Sequence, residues 1–346
     1  MTKPIKILSI DGGGIRGILP ATILAYIENR IIEKTKNQNA RIADYFDFFI
    51  GTSTGAILTS TYLYPSFEGK AKYTATDALD IYLKCGSSIF ASGWLDKVRS
   101  LGGLWKERYS AIPLEKYLTL FYKDRTIKEF IKPSIITSYD IERKSYHFFQ
   151  SYKASIFPSE NFKMRDACRA SSAAPTFFAP AHIQNQTGDV FTLVDGAVLA
   201  NNPALCGCVE AIDYYSKSKG KNITLQDIEL YSFGTAKNQN SYTYEQIKDW
   251  GGIGWLQPIL DIMMTGASEV SERQIEILFK SINAQERYHR FQPELVRAVS
   301  DMDAATEENI EALIYDANRY INLNKTYLES VIDHLLLSTD HTSVAV

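Results

Sequence analysis

Ser53 stands at the centre of Gly51-Thr52-Ser53-Thr54-Gly55, a G-x-S-x-G sequence. A serine hydroxyl becomes a useful nucleophile when a sharp turn exposes it and a base takes its proton, and flanking glycines relieve the crowding of such a turn. Upstream, Asp11-Gly12-Gly13-Gly14-Ile15-Arg16-Gly17 offers a run of backbone N–H groups with little side chain to shield them. Its glycines match the dinucleotide fingerprint G-x-G-x-x-G, and the same geometry would hold the oxyanion of an acyl-transfer intermediate. The turn alone therefore supports two functions, a nucleotide-dependent oxidoreductase or an acyl hydrolase. The second glycine-flanked turn around Ser53 favours acyl transfer, because a dinucleotide enzyme has no use for it.

The serine needs a base. Asp195 follows the apolar run 191–194 and opens Asp195-Gly196-Ala197, so its carboxylate is expected at a strand end, where sheet proteins gather active groups. The five histidines are His147, His182, His289, His334 and His341, and a triad of Ser53, Asp195 and one of the last three can be drawn. None of those three sits in a glycine-rich or turn signature. An aspartate with its ordinary pKa near ~3.9 lies roughly three units below neutrality and is a poor base unless its surroundings raise it. Oxyanion donors, typically worth about 10²- to 10³-fold each, would then matter nearly as much as the base.

The elements that must position these groups are legible in the patterning. Ile5–Ile10 reads as a buried strand, and Pro20, Leu24, Ile27 and Ile31 mark an amphipathic helix after the first glycine turn. Residues 46–50 read as a second strand and 56–64 as the helix leaving the Ser53 turn. Further strands are expected at 134–138, 146–150, 190–194 and 228–233, with helical patterns between several of them. Ile310, Leu313, Ile314, Ala317 and Ile321 mark a late amphipathic helix with Glu307 and Glu308 near its start. Alternating strands and helices imply an α/β sheet covered on both faces. No repeat, low-complexity tract or linker divides the chain, so one large domain is expected.

Composition narrows the class. With 346 residues, 45% hydrophobic and 22% charged, the chain is not disordered, collagenous or a disulfide scaffold. A net charge of −3 lacks the dense basic field of a nucleic-acid protein. Cys85, Cys168, Cys206 and Cys208 form no paired CxxC motifs, so they read as free or buried thiols, and no metal or cofactor is expected. No secretory signal opens the chain, and threonines, serines, glycines and Pro65 interrupt the uncharged stretch after Asp47, so a cytoplasmic location is expected. Residues 84–108 interleave Trp94 and Trp105 with Lys84, Lys97, Arg99 and Arg108, a pattern that suits either an anionic membrane surface or a cap over the site. Residues 250–264 form a second apolar, glycine-hinged stretch open to the same two readings.

Together, DGGGIRG at 11–17, GTSTG at 51–55 and DGA at 195–197 resemble the patatin-like phospholipases, a family of lipid acyl hydrolases. The resemblance extends to ILPATIL, ADYFDFFIGTSTG, SSAAPTFFAP, TLVDGA and MDAATEENIEAL, spanning roughly residues 5 to 322. It implies a mixed central sheet flanked by helices, a core over about 5–235 and a helical part over 236–346 packed on it. It further implies a Ser-Asp dyad of Ser53 and Asp195 without histidine, with Gly12, Gly13, Gly14 and Arg16 in the oxyanion region. The substrate would be the ester-linked acyl chains of phospholipids or galactolipids, met by peripheral contact with a membrane. A homo-oligomer and a small-molecule activator stay open, since some bacterial relatives are nucleotide-gated defence effectors. The sequence departs from the family at Ser232-Phe233-Gly234-Thr235-Ala236, where a second glycine often follows the threonine. A storage or binding protein with a vestigial site is a third reading, opposed by the intact dyad residues.

Overall fold

The computed structural model describes residues 3–89, 109–237 and 241–337. Eight strands form one mixed sheet: β1 (Ile5–Ile10), β2 (Phe48–Gly51), β3 (Ser134–Asp140), β4 (Ser145–Gln150), β5 (Ala181–Gln184), β6 (Val190–Asp195), β7 (Ile228–Phe233) and β8 (Tyr288–Phe291). Hydrogen-bonded neighbours run β5-β6-β3-β2-β1-β7-β8, and β4 also pairs with β3. The strands β3, β2, β1, β7 and β8 are parallel, whereas β4, β5 and β6 are joined antiparallel. The longer helices are α1 (Ile18–Thr35), α2 (Thr54–Tyr62), α3 (Ala75–Ile89), α4 (Ile112–Tyr122), α5 (Met164–Ser171), α6 (Ala204–Lys219), α7 (Gly252–Ser281), α8 (Glu307–Leu323) and α9 (Lys325–Leu337).

Both faces of the sheet are covered, and β1 shows why. Its side chains alternate between faces, so Leu8 and Ile10 join one core with Leu24, Ile27 and Ile31 of α1, while Ile5 and Ile7 join a second with Ala204 and Cys208 of α6. The helix α1 packs on α3 and α8 on the first side, and α6 and α7 pack together on the second. The alternation of strands and helices thus has its expected result, an α/β sheet covered on both faces, and the sheet is mixed as the family resemblance implied.

Two strands escaped the sequence pattern, β5 and β8. The strand β5 has only four residues that alternate buried and exposed, and β8 (Tyr-His-Arg-Phe) carries only one fully buried side chain. The part of the chain after residue 236 is therefore not purely helical: β8 extends the sheet beyond β7 between two helices. Around Ser53, β2 runs one residue further than 46–50 suggested, because Gly51 pairs with both Ile10 and Ile136, and α2 starts at Thr54 rather than Ala56.

The pairing of β3 decides where the site lies. One edge of β3 is taken by β4 over residues 135–140. On the other edge β2 pairs with residues 134–136 and β6, running the opposite way, pairs with 138–140. The C-terminal ends of β2 and β6 therefore meet head to head in front of Thr137.

Candidate active site

Ser53 occupies the tight turn between β2 and α2 with φ 54° and ψ −116°. For a residue with a Cβ this backbone is strained, at a cost of about 1–3 kcal/mol. The glycines on either side are needed for different clashes. A Cβ on Gly51 would lie 2.3 Å from the carbonyl oxygen of Gly55, and one on Gly55 would lie 2.2 Å from that of Ile10. The Ser53 N–H donates to Ser171 Oγ at 2.8 Å, which holds the turn from the opposite wall.

Asp195 reaches the same place from β6. Thr52 bridges the two strand ends: its hydroxyl donates to the Ala200 carbonyl at 2.7 Å and accepts from Thr137 Oγ1 at 2.7 Å. Gly196 lets Asp195 follow, since a Cβ there would come 2.1 Å from Thr137 Oγ1. The Asp195 N–H donates to the Ala173 carbonyl at 3.0 Å and its Oδ1 accepts the Ala197 N–H at 2.8 Å. Asp195 is only 2% exposed. Burial pushes its pKa up to about 7, against smaller opposing effects of the Ala197 N–H and the Ser53 hydroxyl. The environment thus supplies the shift that an aspartate base requires.

The first glycine turn faces Ser53. A Cβ on Gly12 would contact Ser53 Cβ at 3.4 Å and collide with Asn201 Oδ1 at 2.5 Å. The four residues expected in the oxyanion region separate into two pairs. Gly13 and Gly14 line the cavity that holds Ser53 and Asp195, and their N–H groups have no hydrogen-bond partner among the described residues. Gly12 is already engaged at both ends, its N–H donating to the Asn201 carbonyl at 2.9 Å and its carbonyl accepting from Thr235 Oγ1 at 2.6 Å. Arg16 turns away into a second, polar cavity beside Asp11 and Asp261, where burial lowers the pKa of its guanidinium. Gly14 has φ +57°, and a Cβ there would press on the Met302 carbonyl at 2.2 Å, so no other residue fits.

A cavity opens above the serine, lined on one side by Gly13, Gly14, Ser53 and Asp195. Its walls are apolar, built by Ile57, Ile81, Leu114, Phe121, Phe177 and Met264 among others. This matches an aliphatic chain far better than a nucleotide.

None of the four described histidines lines this cavity. His147 is packed against Phe149, Phe162 and Phe191, and burial lowers its pKa to about 4. His182 lies on β5 with its ring near Thr192, and His289 and His334 both face Glu229. His341, Trp94 and Trp105 lie outside the described residues. Sequence reasoning missed Thr52 and Thr137 as the strand-end bridge and Ser171 as a support of the turn. Thr52 and Ser171 belong to the GTSTG and SSAAP runs, but no local signal pairs Thr137 with either.

A model of the patatin-like phospholipase family matches residues 8–205. Patatin-like protein 1 of Arabidopsis thaliana is 32% identical over 329 residues, covering 89% of this chain and 79% of that protein. Patatin of Solanum tuberosum is 31% identical over 323 residues, covering 90% and 82%. Among solved structures, human GIVD cytosolic phospholipase A2 shares 12% identity at a TM-score of 0.43, over 98% of this chain and 61% of that one, a remote likeness.

Proposed function

The chain belongs to the patatin-like phospholipase family, which implies lipid hydrolase activity, and from that premise we propose that it is a phospholipase A-type serine acyl hydrolase working through an acyl-Ser53 intermediate. The observation that carries this reading is the buried Asp195 carboxyl, raised to about 7 beside the Ser53 hydroxyl. A carboxylate raised in this way is a stronger base than an ordinary aspartate.

In the first step Ser53 Oγ attacks the ester carbonyl carbon while its proton passes to Asp195. The carbonyl electron pair moves onto oxygen, and the Gly13 and Gly14 N–H groups would receive that oxyanion. Collapse breaks the bond to the leaving alkoxide, which takes the proton from Asp195 and departs as the alcohol. Water then repeats the sequence on the acyl-serine, with Asp195 again accepting and returning the proton, and the free fatty acid leaves. The apolar cavity would hold the acyl chain.

Approach to a membrane surface fits the exposed Ile259, Ile262 and Met263 of α7, which adjoin Met264 in the cavity wall. No helix among the described residues is long and apolar enough to cross a membrane. The aromatic, basic segment 84–108, most of which lies outside the described residues, is the other contact proposed.

The test is direct. The protein should hydrolyse a short-chain nitrophenyl ester, take up a fluorophosphonate at Ser53, and release fatty acid from phospholipid vesicles, all lost in Ser53→Ala. Labelling at another residue, or full turnover by Ser53→Ala, would sink the assignment.

A further inference from the structure

The glycine turn is useful to an acyl hydrolase only if the Gly13 and Gly14 N–H groups keep their aim, yet glycine is the residue least able to hold its own backbone. What holds the turn lies outside it. Asp11, its first residue, is 3% exposed and accepts two hydrogen bonds from Arg290: Nη1 to Oδ1 at 3.1 Å and Nη2 to Oδ2 at 2.7 Å. Arg290 Nη1 also donates to Ser232 Oγ at 2.8 Å, and Nε lies 3.6 Å from Glu272 Oε2 on α7.

The register explains how a residue of β8 reaches the end of β1. Arg290 pairs with Ser232 of β7, and Ser232 pairs with Ser9 of β1. Asp11 is two residues beyond Ser9 and so faces the same side of the sheet. The guanidinium must cross one whole strand, two interstrand spacings or about 10 Å between backbones, which calls for a long side chain. It also needs a clear lane. Gly234 gives one, since a Cβ at that position would lie 2.9 Å from Arg290 Nη2 and collide with the Gln292 side chain. The run 232–235 thus supplies an anchor in Ser232, an open lane in Gly234 and, in Thr235, the hydroxyl that holds the Gly12 carbonyl.

We propose that Arg290 is a positioning residue for ester hydrolysis, fixing Asp11 from the far edge of the sheet and thereby the aim of the Gly13 and Gly14 N–H groups. This rests on the acyl-hydrolase reading. Arg290 touches neither substrate nor Ser53; it acts through the two peptide units between Asp11 and the oxyanion donors. A fork of two parallel hydrogen bonds fixes the orientation of a carboxylate, whereas a lysine ammonium would fix only its distance. A misplacement of about 1 Å in such a site can cost on the order of 10²-fold in rate.

Arg290→Lys and Arg290→Ala are to be compared with the parent on a soluble short-chain nitrophenyl ester, with melting temperature and fluorophosphonate labelling measured alongside. In Arg290→Lys, kcat should fall about tenfold with KM held within about threefold, and in Arg290→Ala about 10²-fold. In both, the fluorophosphonate should label Ser53 more slowly but reach the same final stoichiometry, because the sites are present and misaligned. Millimolar methylguanidinium should restore part of the Arg290→Ala rate, and an equal concentration of sodium chloride should not. Parent-like kcat in folded Arg290→Lys overturns the proposal. So does a fall in kcat matched by a fall in labelling stoichiometry, which would mean that Arg290 only holds the fold. If Arg290→Ala does not fold, the lysine variant decides alone. A parent protein that neither hydrolyses the ester nor labels at Ser53 would instead defeat the acyl-hydrolase reading.

Discussion

Asp195 and Glu229 are both carboxylates on strands of the same sheet, each 2% exposed, and they titrate in opposite directions. Around Asp195 burial dominates and no cation among the described residues opposes it, so the group rises to about 7. Around Glu229 burial pushes upward too, but a hydrogen bond from His289, the charge of His334 and the Tyr231 hydroxyl together carry it below its ordinary value. Asp11 stands between the two: burial raises its carboxyl, as at Asp195, while the charge and the two hydrogen bonds of Arg290 oppose that rise. The β7–β8 side of the sheet thus gives its buried carboxylates partners and uses them to hold structure. The junction of β2 and β6 gives its carboxylate no cation among the described residues, so that a proton can come and go. A search for reactive carboxylates in such folds should look for the missing counter-ion as much as for the buried acid.

The comparison predicts a hierarchy of effects. Ser53→Ala should lower kcat by on the order of 10⁴-fold or more on the nitrophenyl ester, as removal of a nucleophile does elsewhere. Asp195→Asn should follow at about 10²-fold or more, since an amide cannot take the serine proton. If Asp195→Asn kept near-parent turnover, the two carboxylates would not differ in function at all.

Two pH measurements sharpen the contrast. The kcat/KM of the parent should drop about tenfold per pH unit below a midpoint near 7, because the base must be ionised. Glu229→Gln should leave that midpoint where it is, and a midpoint that moved with Glu229 would assign the titration to the wrong carboxylate. Stability should respond with opposite signs. The raised Asp195 stabilises the fold fully only below its unfolded pKa, and that contribution is lost as pH rises through the folded value. Asp195→Asn should therefore gain melting temperature relative to the parent between about pH 4 and pH 7 and hold that gain above. Glu229, lowered in the fold, contributes above its unfolded pKa and loses that contribution as pH falls through the folded one. Glu229→Gln should be the less stable variant at neutral pH, with the gap closing in acid, as thermal melts at several pH values will show.

The smallest effects are expected at the imidazoles. His147, His182, His289 and His334, each replaced by glutamine, should keep kcat per folded site within about tenfold of the parent. A single variant falling by the roughly 10⁴-fold of a broken triad while still folded would restore histidine to the mechanism.

Much of this site was legible before folding because its turn chemistry is local. The glycines beside Ser53 are required by clashes with the Gly55 carbonyl and with Ile10 on the adjoining strand, so they stand out as a motif, whereas Gly12, Gly13 and Gly14 are pressed by Asn201, Thr235 and Met302, which the sequence keeps far away. The strands β1 and β7 appeared at their observed bounds, since buried parallel strands read as continuous apolar runs. The strand β8 did not, being short and half polar, and with it Arg290 was invisible: nothing near residue 290 announces that it will reach Asp11. Nor could spacing separate Gly13 and Gly14, whose N–H groups have no partner among the described residues, from Gly12, whose N–H is spent on Asn201. The residue types able to do the chemistry, and the turns that expose them, were set by the chain itself, because bond geometry and steric exclusion act within a few residues. The meeting of β2 and β6 before Thr137, the pKa of Asp195 and the clamp on Asp11 were decided by tertiary structure, because strand pairing, burial and charge act between groups that the sequence keeps far apart.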